Sequence, residues 1–530
     1  MEAPVTRSAS QWGIIEIAFE GPRDGNPFAE VQLSASFAFG QRSVDVGGFY
    51  DGEGRYFIRF MPDQTGTWTY RTMSNSALLH DKRGSVAVTE PEPNAHGPVR
   101  ATNKWSFHHA DGTPFLPVGT TVYALPHQNA ELVEQTLVTL GAAPFNKVRL
   151  CVFPKHFKYN ENEPQVYPFE VVERGGLTAR AGDDFGWRFD LSRPNPAFFR
   201  ELERIVARLG TAGIEADLIL FHPYDRWGFS HMSGEEDAHY LRYLIARLGA
   251  FANVWWSMAN EFDLLPSKSA ADWNRLLEVV HDADPYGHLR SVHNCFRFFD
   301  HSHRLVTHVS VQRENSANVA LWSEQYGKPA IDDECGYEGD LSDLWGNLSG
   351  QDMVHRFWEG MLNGGFVTHG ETFRHPDDVV FWSKGGRLQG ESIARIAFLK
   401  RLLGTEAAEG LEPLPSVQRL LLLAGGPENL MMSQLHAAGM DENAPAETRM
   451  VLPWFYTLGR PHSFYLSYFG SHQPSEIVAA VPHGEVYSAS LIDTWAMTEI
   501  ELAGDVVRGQ VLQLRSRPYQ ALALRRRPPA

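Results

Sequence analysis

Cysteine is scarce in this chain. Its three thiols in 530 residues, Cys151, Cys295 and Cys335, form no CxxC pair and no disulfide framework. All three fall on or just after predicted strands, which suits buried thiols in a reducing compartment. Also missing is any apolar run long enough to span a bilayer, and residues 1–19 lack the basic-then-apolar order of a secretion signal. The expectation is a cytoplasmic chain with no membrane partner, the alternative being a mature chain already relieved of a signal. Positive charge is short as well: 47 Lys and Arg face 64 Asp and Glu, for a net charge of −17. That argues against a nucleic-acid partner, because phosphate binding needs clustered cations. There is no internal repeat, and Arg525-Arg526-Arg527 reads as a short solvated end.

What is present fits a soluble globular protein, with 43% apolar and 21% charged residues. The length exceeds what one core ordinarily serves, so two or three domains are expected. Aromatics reach 12%, with 14 Trp. Their flat faces suit sugar stacking and a large core equally well.

Residues 11–95 read as all-β. Alternating stretches at 14–19 and 31–37 precede a hairpin over 49–60 with Asp51-Gly52 at its turn, and Gly66–Thr72 follows as a strand. This predicts an immunoglobulin-like β-sandwich over 1–97, ending at the linker His96-Gly97-Pro98. From 98 to 406 strands alternate with helices. Eight strand candidates lie at 115–121, 147–153, 216–222, 253–259, 289–294, 306–312, 329–335 and 365–371. Between them run helical stripes such as Leu241, Leu244, Ile245 and Leu248, then Trp273, Leu276, Leu277 and Val280. Eight strand–helix units predict a (β/α)8 TIM barrel. A long loop, roughly 155–190, follows the second strand and is expected to shape a pocket. From 407 to 530 the pattern returns to β. Glu412–Pro415 reads as a joint, 463–469 as a strand, and 510–514 with 520–524 as a closing pair.

The chemistry concentrates at two strand tips. Glu261 ends the fourth strand in Ala259-Asn260-Glu261, and Glu334 ends the seventh. Barrel strand tips open onto one face, so the two carboxyl groups can meet across a pocket. Glycosidic cleavage needs such a pair, one group to protonate the departing oxygen and one to attack or steady the cationic carbon. Other tip and loop candidates for substrate contacts are His222, Tyr224, Asp225, Arg226, His293, Gln312 and Glu371.

With Asn260-Glu261 on strand four and Glu334 on strand seven, the chain resembles the clan of retaining (β/α)8-barrel glycoside hydrolases. Several blocks narrow the resemblance to a bacterial family of glycosidases long catalogued as domains of unknown function. They are Phe49-Tyr50-Asp51-Gly52 with Arg59-Phe60-Met61-Pro62, Asp111–Phe115, Phe221-His222-Pro223-Tyr224-Asp225-Arg226-Trp227-Gly228-Phe229, and Asp333–Gly339. Members share a β-sandwich, a barrel and a C-terminal β-domain. The resemblance implies Glu261 as acid/base, Glu334 as nucleophile and Asn260 on the sugar 2-hydroxyl. It further implies Arg149 holding the nucleophile's charge and Trp382 as stacking platform. The clan's tyrosine near strand six, which bonds the nucleophile, has no counterpart here; strand six offers His308 and Gln312.

Two rivals stand beside this reading. A metal-dependent barrel hydrolase would draw on His222, His293, His308 and His369, although strand one carries no His-x-His. A non-catalytic carbohydrate-binding protein would use the flanking β-domains. The preferred expectation is a retaining, metal- and cofactor-independent hydrolase. It would act on a small glycoside or oligosaccharide, exo-acting because a long loop overhangs the pocket. Self-association is left open.

Overall fold

The computed structural model describes residues 6–176, 186–375, 380–407, 410–414 and 456–528. Pro415 of the expected joint lies outside them.

The first strands, Thr6–Ser10 through Arg83–Thr89, form a seven-stranded β-sandwich whose two faces share the strand Arg42–Tyr50. Alternation puts Ile15, Ile17, Phe37, Ile58, Phe60 and Trp68 inside, with Phe37 and Phe60 stacked at 4.0 Å. The hairpin turn falls at Asp51–Gly54, where Gly52 and Gly54 take positive φ as a tight return requires.

The barrel strands are β1 Gly119–Thr121, β2 Lys147–Cys151, β3 Glu215–Phe221, β4 Val254–Ala259, β5 Arg290–Ser291, β6 Val309–Gln312, β7 Ala330–Glu334 and β8 Phe366–His369. Their order is β5-β4-β3-β2-β1-β8-β7-β6, every pairing parallel. Between β5 and β6 one bridge, His293 to Ser310, closes the ring. All eight lie inside or within a residue of the stretches the sequence marked out. β4 is buried along its whole length, as a parallel strand covered on both faces must be. The helices flanking it, Gly234–Leu248 and Ala270–Ala283, each start from a serine capping box, Ser233/Glu236 and Ser269/Asp272. Their predicted apolar stripes are buried.

Upstream of β1, a small sheet of Val99–Asn103, Ser106–His109 and Pro114–Phe115 plugs the barrel floor. Phe107 and Phe115 lie against Trp255 there, 5.6 Å and 6.1 Å between ring centres. Sequence reading took Phe115 into the first barrel strand, because Phe115-Leu116-Pro117-Val118 is apolar throughout. The loop after β2 holds a hairpin, Phe169–Glu173 with Arg188–Pro194.

The C-terminal β-sandwich has a six-stranded sheet and a two-stranded one. Here the expected closing pair is corrected. Val511–Gln513 pairs with Glu476–Val478, and Gln520–Arg526 lies between Phe464–Tyr468 and Tyr487–Asp493. Positive φ at Ser516 and Tyr519, flanking Pro518, carries the chain from one sheet to the other. That last strand also takes in Arg525 and Arg526. Arg525, Arg526 and Arg527 meet Glu499, Glu485 and Asp505 rather than trailing as a solvated end.

Candidate active site

Glu261 and Glu334 stand at the tips of β4 and β7 over one pocket. At the tip of β6, the Gln312 amide faces both carboxyl groups; assigned the orientation that satisfies both, its nitrogen donates 3.1 Å to Glu261 Oε1 and 3.3 Å to Glu334 Oε2. One donor touching both means the two oxygens lie no farther apart than those contacts laid end to end.

Each carboxyl group is also held by a tyrosine. The Tyr224 hydroxyl donates to Glu261 Oε2, and the Tyr123 hydroxyl to Glu334 Oε1. Tyr123 lies two residues past β1, so this contact reaches the nucleophile candidate from strand one where the clan uses a residue near strand six. Arg149 Nη1 reaches Glu334 Oε1 at 3.5 Å, while its Nη2 donates to Asn260 Oδ1 at 3.1 Å. Beneath them, Lys147 pairs with Asp217 at 2.9 Å and Asp333 at 2.6 Å, inside the barrel. Alternation along a strand explains the layering: Lys147 and Arg149 both point inward, as do Asp217 and Asp333.

The two carboxyl groups are pushed in opposite directions. Burial first, then the charge on Glu334, raises Glu261 above the usual carboxylate range. Burial also works against ionised Glu334, but His293, Arg149, the Tyr123 hydroxyl and Lys155 outweigh it and hold that carboxyl low. His293 is itself pushed down to about 3, by burial and by Arg149, so it faces Glu334 as a neutral ring. The positive charges acting on Glu334 are therefore Arg149 first and then Lys155. Backbone strain marks the same spot, since Glu261 sits at φ 52°, ψ 55° in the left-handed region. Its amide N–H donates to His293 Nδ1 at 3.3 Å, which fixes the proton of that neutral ring on Nε2.

Of the sequence candidates, Asn260, Arg149, Tyr224, His293 and Gln312 thus gather around the pair. Trp382 joins the pocket wall, buried beside Tyr123, Tyr337 and Trp345 with ring centres 5.2–5.7 Å away. His222 lies a layer behind: its Nε2 bonds the Phe153 carbonyl at 3.1 Å, and burial pushes it down to about 3. Three candidates are not brought to the carboxyl groups. Asp225 accepts the backbone N–H groups of Trp227 and Ser230, shaping its own loop. Arg226 pairs with Glu163 of the long loop. Glu371 accepts from the amides of Gln389 and Gly390. The remaining strand histidines point elsewhere, His308 toward Phe107 and Trp255 on the floor and His369 against Phe145. Among the described residues, no group of three His, Cys, Asp or Glu side chains is arranged to hold a metal ion.

Sequence reasoning missed Tyr123, Lys155, Tyr337 and Trp345. Tyr123 and Lys155 directly follow strands one and two, so inspection of every strand's first loop residues would have found them.

Comparison with known proteins decides what this arrangement belongs to. Residues 101–385, more than half the chain, match the family described as "Apiosidase-like, catalytic domain". The chain belongs to that family. Residues 8–75 match a domain of unknown function, DUF5060, and residues 454–525 another, DUF5605. A crystal structure from Bacteroides vulgatus ATCC 8482, of a protein assigned as a glycoside hydrolase, is 35% identical. It covers 98% of this chain and 100% of its own, with a TM-score of 0.86. A glycoside hydrolase family 5 protein from the same organism shares the fold at 17% identity and a TM-score of 0.59, covering 82% of this chain and 93% of its own. No curated protein matches. The apiosidase-like chain is a glycoside hydrolase, built on a TIM barrel between two β-sandwiches. No helix among its described residues is long and apolar enough to cross a membrane.

Proposed function

We propose that this apiosidase-like hydrolase cleaves its glycoside with retention, Glu334 attacking and Glu261 acting as acid and then base. The observation that carries the reading is Gln312 donating to both carboxyl groups. Its two contacts hold one oxygen of each carboxyl group across a single pocket, within reach of one anomeric centre. The opposed titration directions supply the roles, since a raised acid and a lowered carboxylate are what general acid and nucleophile require.

In the first step Glu334 Oε2 attacks the anomeric carbon while Tyr123 and Arg149 hold Oε1. The glycosidic C–O bond breaks, and Glu261 gives its proton to the leaving oxygen. Forming the glycosyl ester removes the charge on Glu334, which is one of the two causes keeping Glu261 protonated. Glu261 then becomes a better base. It takes a proton from water, the water oxygen attacks the anomeric carbon, and Glu334 leaves as carboxylate. Asn260, whose Oδ1 accepts from Arg149 at 3.1 Å, keeps its amide N–H groups for the 2-hydroxyl in this reading.

An exo mode on a small glycoside fits the aromatic wall of Trp382, Trp345 and Tyr337. Unpaired thiols at Cys151, Cys295 and Cys335 accord with a cytoplasmic setting.

The test is a proton NMR time course on aryl glycosides, with mass spectrometry after a 2-deoxy-2-fluoro glycosyl fluoride. Retention at the anomeric carbon and a label on Glu334 are expected. In Glu261→Gln, turnover should fall by about 10²–10⁴ for poor leaving groups and far less for activated phenols. First-formed product of inverted configuration would overturn the mechanism.

A further inference from the structure

Four residues past β2, Lys155 is 3% exposed. Its Nζ lies 3.9 Å from the ring centre of Tyr123, 4.3 Å from that of Tyr224 and 4.7 Å from that of Trp382. Those two tyrosines are the ones that bond Glu334 and Glu261, so the ammonium sits inside the catalytic constellation. Both carboxyl groups act on it through space, yet among the described residues no oxygen accepts a hydrogen bond from it. An ammonium carries three donors and no acceptor. Packing it against ring faces recovers part of its lost hydration through cation–π attraction and leaves its donors available to whatever fills the pocket. A bound oxygen acceptor would meet them.

The charges around the pocket indicate which kind of acceptor. Lys147 and Arg149 face Asp217, Asp333 and Glu334, two cations against three anions. Burial pushes Lys155 below the usual lysine range while Glu334 and Glu261 pull it back up; as an ammonium, with Glu261 protonated, it is the third cation and makes this set neutral. A substrate carboxylate would add a buried charge with no counterpart. A hydroxyl oxygen accepts without adding charge. We propose that Lys155 determines glycone specificity, its ammonium donating to hydroxyl oxygens of an uncharged sugar held against Glu334, so that the matching uronic acid is refused. This rests on the glycosidase reading of the pocket and names the substrate class within it.

Calorimetry tests it on the full-length protein, with glucose, galactose, mannose, xylose and arabinose as neutral probes and glucuronate and galacturonate as charged ones. At least one neutral sugar should bind the native protein, and glucuronate and galacturonate should bind more weakly than their parents. In Lys155→Met the bound neutral sugars should weaken by about ten-fold or more, the loss expected for a charged donor. Lys155→Gln keeps a donor without the charge and should restore most of that affinity. It also serves if the Met variant fails to fold. A uronate binding tighter than its parent, neutral-sugar affinity within two-fold in Lys155→Met, or no neutral sugar bound at all would each overturn the proposal. Labelling of Glu334 is read independently. Sugar binding lost in Lys155→Met but with no label would sink the retaining mechanism and leave the lysine's role standing.

Discussion

At the scale of single residues, the opposed environments of Glu261 and Glu334 set the expected pH dependence. Activity needs Glu334 ionised, so it should rise as pH climbs through a value below the usual carboxylate range. It needs Glu261 protonated, so it should fall as pH climbs through a value above that range. Tyr123→Phe removes a hydrogen bond to the ionised form of Glu334, a contact of about 1.5–3 kcal/mol. Glu334 then titrates higher, and the acid limb of kcat/KM should move up by about one to two pH units, while the alkaline limb moves little. An acid limb that stays in place would show that Tyr123 does not act through Glu334. Backbone conformation makes a second prediction. Because Glu261 adopts a left-handed conformation, Glu261→Gly should melt higher than Glu261→Ala, by an amount equivalent to about 1 kcal/mol. Both variants should lack activity on poor leaving groups. Thermal denaturation of the two side by side checks the order, which is the reverse of what ordinary positions show.

At the scale of elements, the site depends on how closely the strand tips pack. A Cβ added to Gly370, just past β8, would stand 2.1 Å from the Tyr337 ring. Tyr337 in turn lies 3.3 Å, hydroxyl to hydroxyl, from Tyr123. Gly370→Ala should therefore displace Tyr337, destabilise the fold by about 1–3 kcal/mol and lower kcat, although residue 370 touches neither carboxyl group. Unchanged kcat with a lowered melting temperature would confine its role to packing. Strand tips were also where the sequence was most legible. Eight short strand-like runs between helical stripes revealed the barrel, although inward-pointing charges such as Lys147, Arg149, Asp217 and Asp333 interrupt several of them. Asn260, Glu261 and Glu334 stood out because polar residues abruptly end such runs. Tyr123 and Lys155 stayed hidden for a different reason. They lie two and four residues beyond β1 and β2, past the strand tips themselves, where the strand pattern no longer says which way a side chain points. Asp225 and Glu371 misled because an acidic residue that accepts backbone amides looks, in sequence, like one that meets a sugar.

At the scale of the whole molecule, the N-terminal sandwich is tied to the barrel by buried charge. Arg247, on the helix Gly234–Leu248, is 1% exposed. It donates to Asp51 of the hairpin turn at 2.9 Å and to Glu203 of the helix Pro196–Thr211, and its guanidinium lies 4.5 Å from the Phe49 ring centre. Arg59 of the sandwich also reaches Glu203, at 3.0 Å. Arg247→Met leaves Asp51 and Glu203 with their remaining partners only and should cost about 3 kcal/mol. The sandwich should then melt ahead of the barrel in a calorimetric scan and become the first site of proteolysis. A melting profile superimposable on the native one would show that the charges are incidental to the junction.

The single bridge between β5 and β6 has a consequence on another timescale. Elsewhere in the ring, neighbouring strands pair over two or more residues; here the His293–Ser310 bridge is joined only by Arg290 and Thr307, through the Thr307 N–H to the Arg290 carbonyl at 2.9 Å and the Thr307 hydroxyl. A hoop with one weak stave parts there first. In hydrogen–deuterium exchange, amides along β5 and β6 should lose protection well before those of β3 and β4. His293 and Gln312 line opposite sides of that gap. The breathing of the wall and the grip on both carboxyl groups are therefore properties of the same two strands.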